Sequence, residues 1–172
     1  MVYENMKKTT KIALLLIIVF VAAAIPLYSW SRPPKISQGT LQITGQVSNP
    51  MNITLSQLQT YTPLTVKVTL TSSSQPSSNG VFNYTGVLLS AILQKAGISA
   101  HATSVYIQAS DGYGTTLAIR DAMGEKTIIA YQKDGTLLTP LKNGGEGPFR
   151  LVIGTDQYAQ RWVKGVISIQ VS

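Results

Sequence analysis

The chemistry open to this chain is bounded first by what its residues lack. None of its 172 residues is cysteine, so disulfides, thiolate nucleophiles and cysteine-based zinc or iron–sulfur sites are excluded. The single histidine, His101, cannot build a histidine-rich metal site, and within the polar stretch Ser99–Thr103 it reads as a surface loop residue. No paired carboxylates, nucleophile–base pair or metal cluster points to hydrolytic chemistry. No residue is therefore nominated as catalytic or as a metal ligand. What remains is cationic: 14 Lys and Arg stand against 7 Asp and Glu, a formal net charge of +7. Lys7, Lys8 and Lys11, offset by Glu4, precede a hydrophobic run. The other cations are single residues, among them Lys67, Lys95, Arg120, Lys126, Lys133, Lys142, Arg150, Arg161 and Lys164. No basic run with interleaved aromatics occurs, so no nucleic-acid partner is indicated. A moderately basic face for an anionic ligand or lipid headgroup stays open beside ordinary solvated lysines.

These groups need a scaffold, and the composition provides for one. Hydrophobic residues make up 44% and charged residues 12%, which argues against disorder. The length suits a short leader and one domain with a real core.

Residues 12–27, IALLLIIVFVAAAIPL, are almost entirely apolar, and Tyr28 to Trp30 bring the segment near the ~20 residues that span a bilayer. Lysines before the run place the N-terminus in the cytoplasm and everything after Ser31 outside. Two readings stand: an uncleaved single-pass anchor, and a signal peptide cleaved after Ala22-Ala-Ala24 and then secreted. Both make the following domain extracytoplasmic, with the membrane engaged through residues 12–30. The expected division is an anchor or signal at 1–30, a linker at 31–39 and a domain at 40–172. Two sequons, Asn52-Ile-Thr54 and Asn83-Tyr-Thr85, are compatible with that side of the membrane.

Within the domain, Thr40–Val47 alternates apolar and polar residues and predicts a strand. Thr54-Leu-Ser-Gln57 has capping-box spacing and opens a short helix from Leu55 to about Thr60. Thr65–Thr71 predicts a strand with Val66, Val68 and Leu70 on one face. Ser72–Gly80 reads as a polar loop. Gly86–Ala96 predicts a helix with a stripe of Leu88, Leu89, Ile92, Leu93 and Ala96, ended by Gly97. Strands follow at Ser104–Ala109 and Thr127–Gln132, with a turn at Asp111-Gly112 and one helical turn at Ile119–Met123. Lys133-Asp-Gly135 predicts a hairpin into Thr136–Leu138. Asn143–Pro148 reads as a flexible connection. Phe149–Ile153 and Trp162–Val171 are the closing strands, the latter with Val163, Ile167, Ile169 and Val171 on one face. The class is α+β with a mixed, β-rich core.

The order of these segments resembles the molybdopterin-binding domain of the sulfite-oxidase family. The resemblance runs from Leu41-x-Ile-x-Gly45 through Tyr84-Thr-Gly-Val87, Val105-x-Ile107, Ser110-Asp-Gly-Tyr113, Ile129-Ala-Tyr131, Asp134-Gly135 and Leu138. It ends on Gly147-Pro-Phe-Arg-Leu-Val152 and Trp162-Val-Lys164. It implies a sulfite-oxidase-type α+β domain, here behind an N-terminal transmembrane helix, that binds one molybdopterin and moves an oxygen atom. In that family a protein cysteine ligates the molybdenum, a soft thiolate suited to its redox work. The cysteine is expected just after the strand Val66–Leu70, where this chain reads Thr71-Ser-Ser-Ser74, so the usual ligand is absent. The resemblance further implies cofactor contacts at Asp111, Tyr113, Arg150, Arg161 and Lys164, the cations near the pterin and its phosphate.

Three functions follow from this combination. The first is a binding module on the family fold without the molybdenum–cysteine site, taking an anionic pterin-like ligand or a membrane redox partner. The second is an active molybdopterin-dependent oxidoreductase on a small sulfur or oxo compound. The third is a structural surface domain. Arg150 and Lys164 also have a plain reading as solvated strand flanks, and Asp111 and Tyr113 as a turn and a packing residue.

Overall fold

The computed structural model describes residues 39–71 and 79–172, together with Ile17 and Ile18. The chain separates into two compact units, Met1–Lys35 and Ile36–Ser172. The leader, the linker up to residue 38 and the serines at 72–74 lie outside the described residues, as does most of the expected 72–80 loop. No helix among the described residues is long and apolar enough to cross a membrane.

The first sheet has the order β2-β1-β10-β5-β6, formed by Met51–Thr54, Thr40–Gly45, Val166–Val171, Ser104–Ala109 and Gly114–Ala118. The first and last strands pair in parallel, Gln42 opposite Ser168 and Gly45 opposite Val171, so the chain closes on itself. The second sheet runs β3-β4-β7-β8, formed by Leu64–Leu70, Gly80–Leu88, Thr127–Lys133 and Thr136–Leu137. The strand β9 (Arg150–Ile153) shares the outer edge of β7 with β8. The helices are short: α1 is Leu55–Leu58, α2 is Leu89–Lys95 and α3 is Ile119–Ala122. Buried residues from both sheets and from α2 form one continuous core, including Leu41, Ile43, Leu93, Ile107, Ile128, Leu151 and Ile169. The architecture is the mixed, β-rich α+β arrangement that the alternating segments imply.

Local chemistry explains most of the boundaries. Thr54 accepts a hydrogen bond from the Gln57 amide at 3.3 Å while its own amide donates to the Gln57 side chain at 2.9 Å, which completes the capping box. On β3, Val66, Val68 and Leu70 are all buried while Thr65, Lys67 and Thr69 are exposed. The Asp134-Gly135 turn has φ of 49° and 79°, the primed geometry that suits a tight hairpin. His101 lies exposed in a turn.

Three expectations need correction. The helix begins at Leu89, not Gly86, because Tyr84–Leu88 continues β4 and pairs with Ile128–Lys133 of β7. Tertiary pairing here overrides a helical stripe, which in turn holds only from Leu89 to Ala96 before Gly97 at φ 68°. A bulge at Thr85/Gly86 shifts the register, so Tyr84 and Val87 are both buried despite their odd spacing. A side chain at Gly86 would strike the β7 backbone, with the Ile129 carbonyl oxygen only 2.2 Å from a Cβ position. The last strand starts at Val166; before it Lys164 bridges to Arg150 and Gly165 turns the chain at φ 63°. A second bulge near Val166 brings Val166 and Ile169 both inward and leaves Ile167 half-buried. Finally, Asn143–Pro148 is a tied loop. The Gly147 amide donates to the Thr139 carbonyl at 2.8 Å, and the Leu141 amide to the Gly147 carbonyl at 2.8 Å.

Candidate functional site

A dense polar cluster forms around Arg150, which opens β9 with only 2% of its surface exposed. A guanidinium cannot shed its charge inside a protein, so its burial demands anionic and aromatic partners. Register supplies them. Tyr84 on β4 lies opposite Lys133 on β7, and Arg150 pairs with Ala130 on the other edge of β7. The tied loop brings in Glu146. Arg150 Nη1 donates to the Tyr84 hydroxyl at 2.8 Å and forms an ion pair with Glu146 Oε2. The Tyr84 hydroxyl donates to the same Oε2 at 3.0 Å. The other carboxylate oxygen faces Lys133 Nζ at 3.8 Å and Lys164 Nζ at 3.9 Å.

Aromatic rings complete the enclosure. The Arg150 guanidinium carbon stands 5.1 Å from the Tyr84 ring centre and 5.4 Å from that of Trp162. The two rings meet edge to face at 6.1 Å. Lys133 Nζ sits 3.8 Å from the centre of the Phe82 ring. Two buried donors, Arg150 Nε and Trp162 Nε1, have no acceptor among the described residues.

The charges perturb each other in the expected sense. Burial alone would raise the Glu146 pKa, but Arg150, with help from Lys133 and the Tyr84 hydroxyl, holds it below the usual carboxylate range. Burial pushes the Tyr84 phenol well above its ordinary value, with Arg150 opposing. Tyr84 therefore stays a neutral donor at any physiological pH.

A second network surrounds Arg161. Its Nε donates to Asp156 at 3.1 Å and its Nη1 to Asp121 at 2.7 Å, tying the Ala159–Arg161 turn to α3. Its hydrogen bonds to Asp156 and then to Asp121 raise the Arg161 pKa, and the bond that Asp121 accepts from Arg161 lowers the Asp121 pKa. Asp111 accepts from the Tyr113 amide at 3.0 Å and so makes the turn. The half-exposed Tyr113 donates its hydroxyl to the Gln160 carbonyl at 2.7 Å.

Of the five positions expected to contact cofactor, the fold brings Arg150 and Lys164 together at Glu146. It places Asp111, Tyr113 and Arg161 around the Ala159–Arg161 turn. Reading the sequence missed Glu146 and Lys133 as site residues. An acidic residue in the Gly-Gly-Glu-Gly-Pro run, four positions before Arg150, was the available signal for Glu146. A cavity of about 240 Å³ adjoins the cluster, lined by Lys133, Thr136, Leu137, Leu138, Thr139, Gly145 and Glu146. That is below the ~300–1,000 Å³ usual for small-molecule sites.

The two five-stranded sheets with short helices make the mixed, β-rich α+β fold expected of a sulfite-oxidase-type domain. Residues 30–172 match the oxidoreductase molybdopterin binding domain, and the chain belongs to that family. No curated protein matches it. Among solved structures it is similar to the sulfane dehydrogenase SoxCD from Paracoccus pantotrophus, with a TM-score of 0.65 and 21% identity. The match covers 78% of this chain and 39% of that one, so it bears on the fold.

The residues present do not fit the family's metal group. The chain holds no thiolate to ligate molybdenum, and among the described residues no three His, Asp or Glu side chains gather to replace it. Thr71, where the ligand is expected to follow β3, is exposed and offers only a neutral hydroxyl. The arginines expected to meet a pterin phosphate are already neutralised by carboxylates of the chain itself, Arg150 by Glu146 and Arg161 by Asp156 and Asp121.

Proposed function

We propose that this protein is a non-catalytic binding module of the molybdopterin-binding domain family, held outside the cytoplasm by its N-terminal segment. The observation that carries this is the pairing of a cysteine-free sequence with an arginine cluster closed by internal acids. A family enzyme needs a soft ligand for its metal, which this sequence lacks, and open arginines for its pterin, whereas Arg150 and Arg161 are closed by acids of the chain. The residues that keep free capacity are lysines: Lys133 and Lys164 share one carboxylate with Arg150, so the cluster retains net positive charge at the protein surface. That surface suits a partner at the membrane, with an anionic ligand as the chemistry it would recognise.

The anchoring half of the proposal rests on the apolar run at residues 12–27 and the lysines before it. Dye-linked assays test the non-catalytic half. Membranes from cells that make the protein should oxidise sulfite and reduce small sulfoxides no faster than membranes from cells that lack it. A rate that rises with the amount of protein would establish the oxidoreductase instead.

A further inference from the structure

We infer that Glu146 is a built-in counter-ion, a carboxylate of the chain standing where a free oxyanion would otherwise bind. The inference deepens the proposed function and rests on it, since a domain without cofactor must neutralise Arg150 by other means.

The donors and the acceptor come from different kinds of structure. Arg150, Tyr84 and Lys133 are carried on three paired strands, and Lys164 on the segment bridged to Arg150. All four point polar atoms at a single carboxylate: Arg150 and Tyr84 at Oε2, Lys133 and Lys164 at Oε1. Glu146 arrives on a loop. The loop is held by backbone bonds from Gly147 to Thr139 and from Gly165 to Glu146, at 2.8 and 2.9 Å. The scaffold is thus a preformed set of donors, and the anion is a separable insert.

Three cations around one carboxylate are more than a structural ion pair requires. Charge alone would accept an anion of higher valence than Glu146 supplies. The Arg150 side chain is 3% exposed, so its charge cannot be left to solvent if Glu146 is removed. The vacated site would then have the chemistry for a small tetrahedral oxyanion. Its donors are a guanidinium, a phenol and two ammonium groups, beside a cavity already bordered by Lys133 and Glu146.

The test uses the full chain in detergent, with inorganic phosphate as the probe and chloride at matched ionic strength as the control. The wild type should melt at the same temperature in both salts. Glu146→Ala should melt lower in chloride and recover in phosphate, with a saturable rise of about 4 °C or more. Glu146→Ala combined with Arg150→Met should lose that recovery. A wild type that responds to phosphate as strongly as the variant overturns the inference, as does a folded Glu146→Ala protein that ignores phosphate. Should Glu146→Ala fail to fold in chloride, refolding from urea decides the matter. Recovery in phosphate alone supports the counter-ion, and recovery in neither salt refutes it. A phosphate-responsive wild type without molybdenum overturns this inference alone, whereas stoichiometric molybdenum in the wild type overturns the functional reading with it.

Discussion

Replacing Arg150 by Met tests whether the cluster is held together by charge or only by packing. The substitution keeps an unbranched side chain of similar length on β9 and removes the guanidinium. Two charge-assisted hydrogen bonds disappear, to Glu146 and to Tyr84, each worth ~1.5–3 kcal/mol. Contacts over the Tyr84 and Trp162 rings go with them, at ~0.5–2 kcal/mol each. Two effects oppose the loss. Arg150 Nε is buried without an acceptor among the described residues, and its removal relieves ~1–3 kcal/mol of desolvation. Glu146 keeps Lys133 and Lys164 within 4 Å and is itself 21% exposed, so it is not stranded. These terms leave a net cost near ~4–5 kcal/mol, at the upper end of the ~3–5 kcal/mol for breaking one side of a buried pair. Urea unfolding followed by tryptophan fluorescence reads this, since Trp162 lies against the guanidinium. The decisive comparison is Arg150→Met with Glu146→Gln. Glu146→Gln alone leaves the buried Arg150 charge under-compensated, whereas the double variant removes both charges. The two should couple by about 1.5–3 kcal/mol, leaving the double variant no less stable than Arg150→Met alone. Additivity within ~0.5 kcal/mol would refute the claim that Arg150 and Glu146 act as a pair.

Other expectations can be checked with the same protein. Glu146 has a folded-state pKa below its ordinary 4.5, so it contributes stability that is complete above that pH and lost as the pH falls below it. Glu146→Gln should flatten the acid limb of stability in that window, measured by urea midpoints from pH 3 to 7, and an unchanged slope counts against the pairing. Asp121 is shifted the same way, so some acid sensitivity should survive in that variant. Thr54→Ala removes the capping box on α1 and should cost ~0.5–2 kcal/mol, with no loss expected if the helix forms without it. A fragment beginning at Lys35 should melt cooperatively, because buried residues of both sheets and α2 form one continuous core among the described residues. Protease added to intact cells should reach the chain beyond Arg32, and full protection would reverse the orientation.

Sequence pattern revealed what is local. The alternation in Thr65–Leu70, the Thr54–Gln57 capping box and the Asp134-Gly135 hairpin each depend on residues within a few positions, and each forms as its spacing implies. The start of α2 was illegible because Tyr84–Leu88 obeys β7, whose residues lie some forty positions later in the chain. The parallel pairing of β1 with β10 joins the two ends of the domain and leaves no local trace. The site follows the same rule. The Gly-Pro-x-Arg-Leu-Val run marks Arg150, but its partners come from β4, β7 and a glycine-rich loop. Glycines made Asn143–Pro148 look loose, whereas backbone hydrogen bonds to Thr139 and from Gly165 fix it and aim Glu146. Burial turned Arg150 from a plausible solvated flank into the centre of a cluster, and burial is not written in a single residue type.

The central claim is that this member of the family works without a thiolate-held metal. The most direct measurement is the molybdenum and tungsten content per polypeptide of the full chain purified from its native host. The account predicts neither metal above background, with the protein folded and cooperative in melting. One molybdenum or tungsten atom per chain, retained through purification, would contradict it.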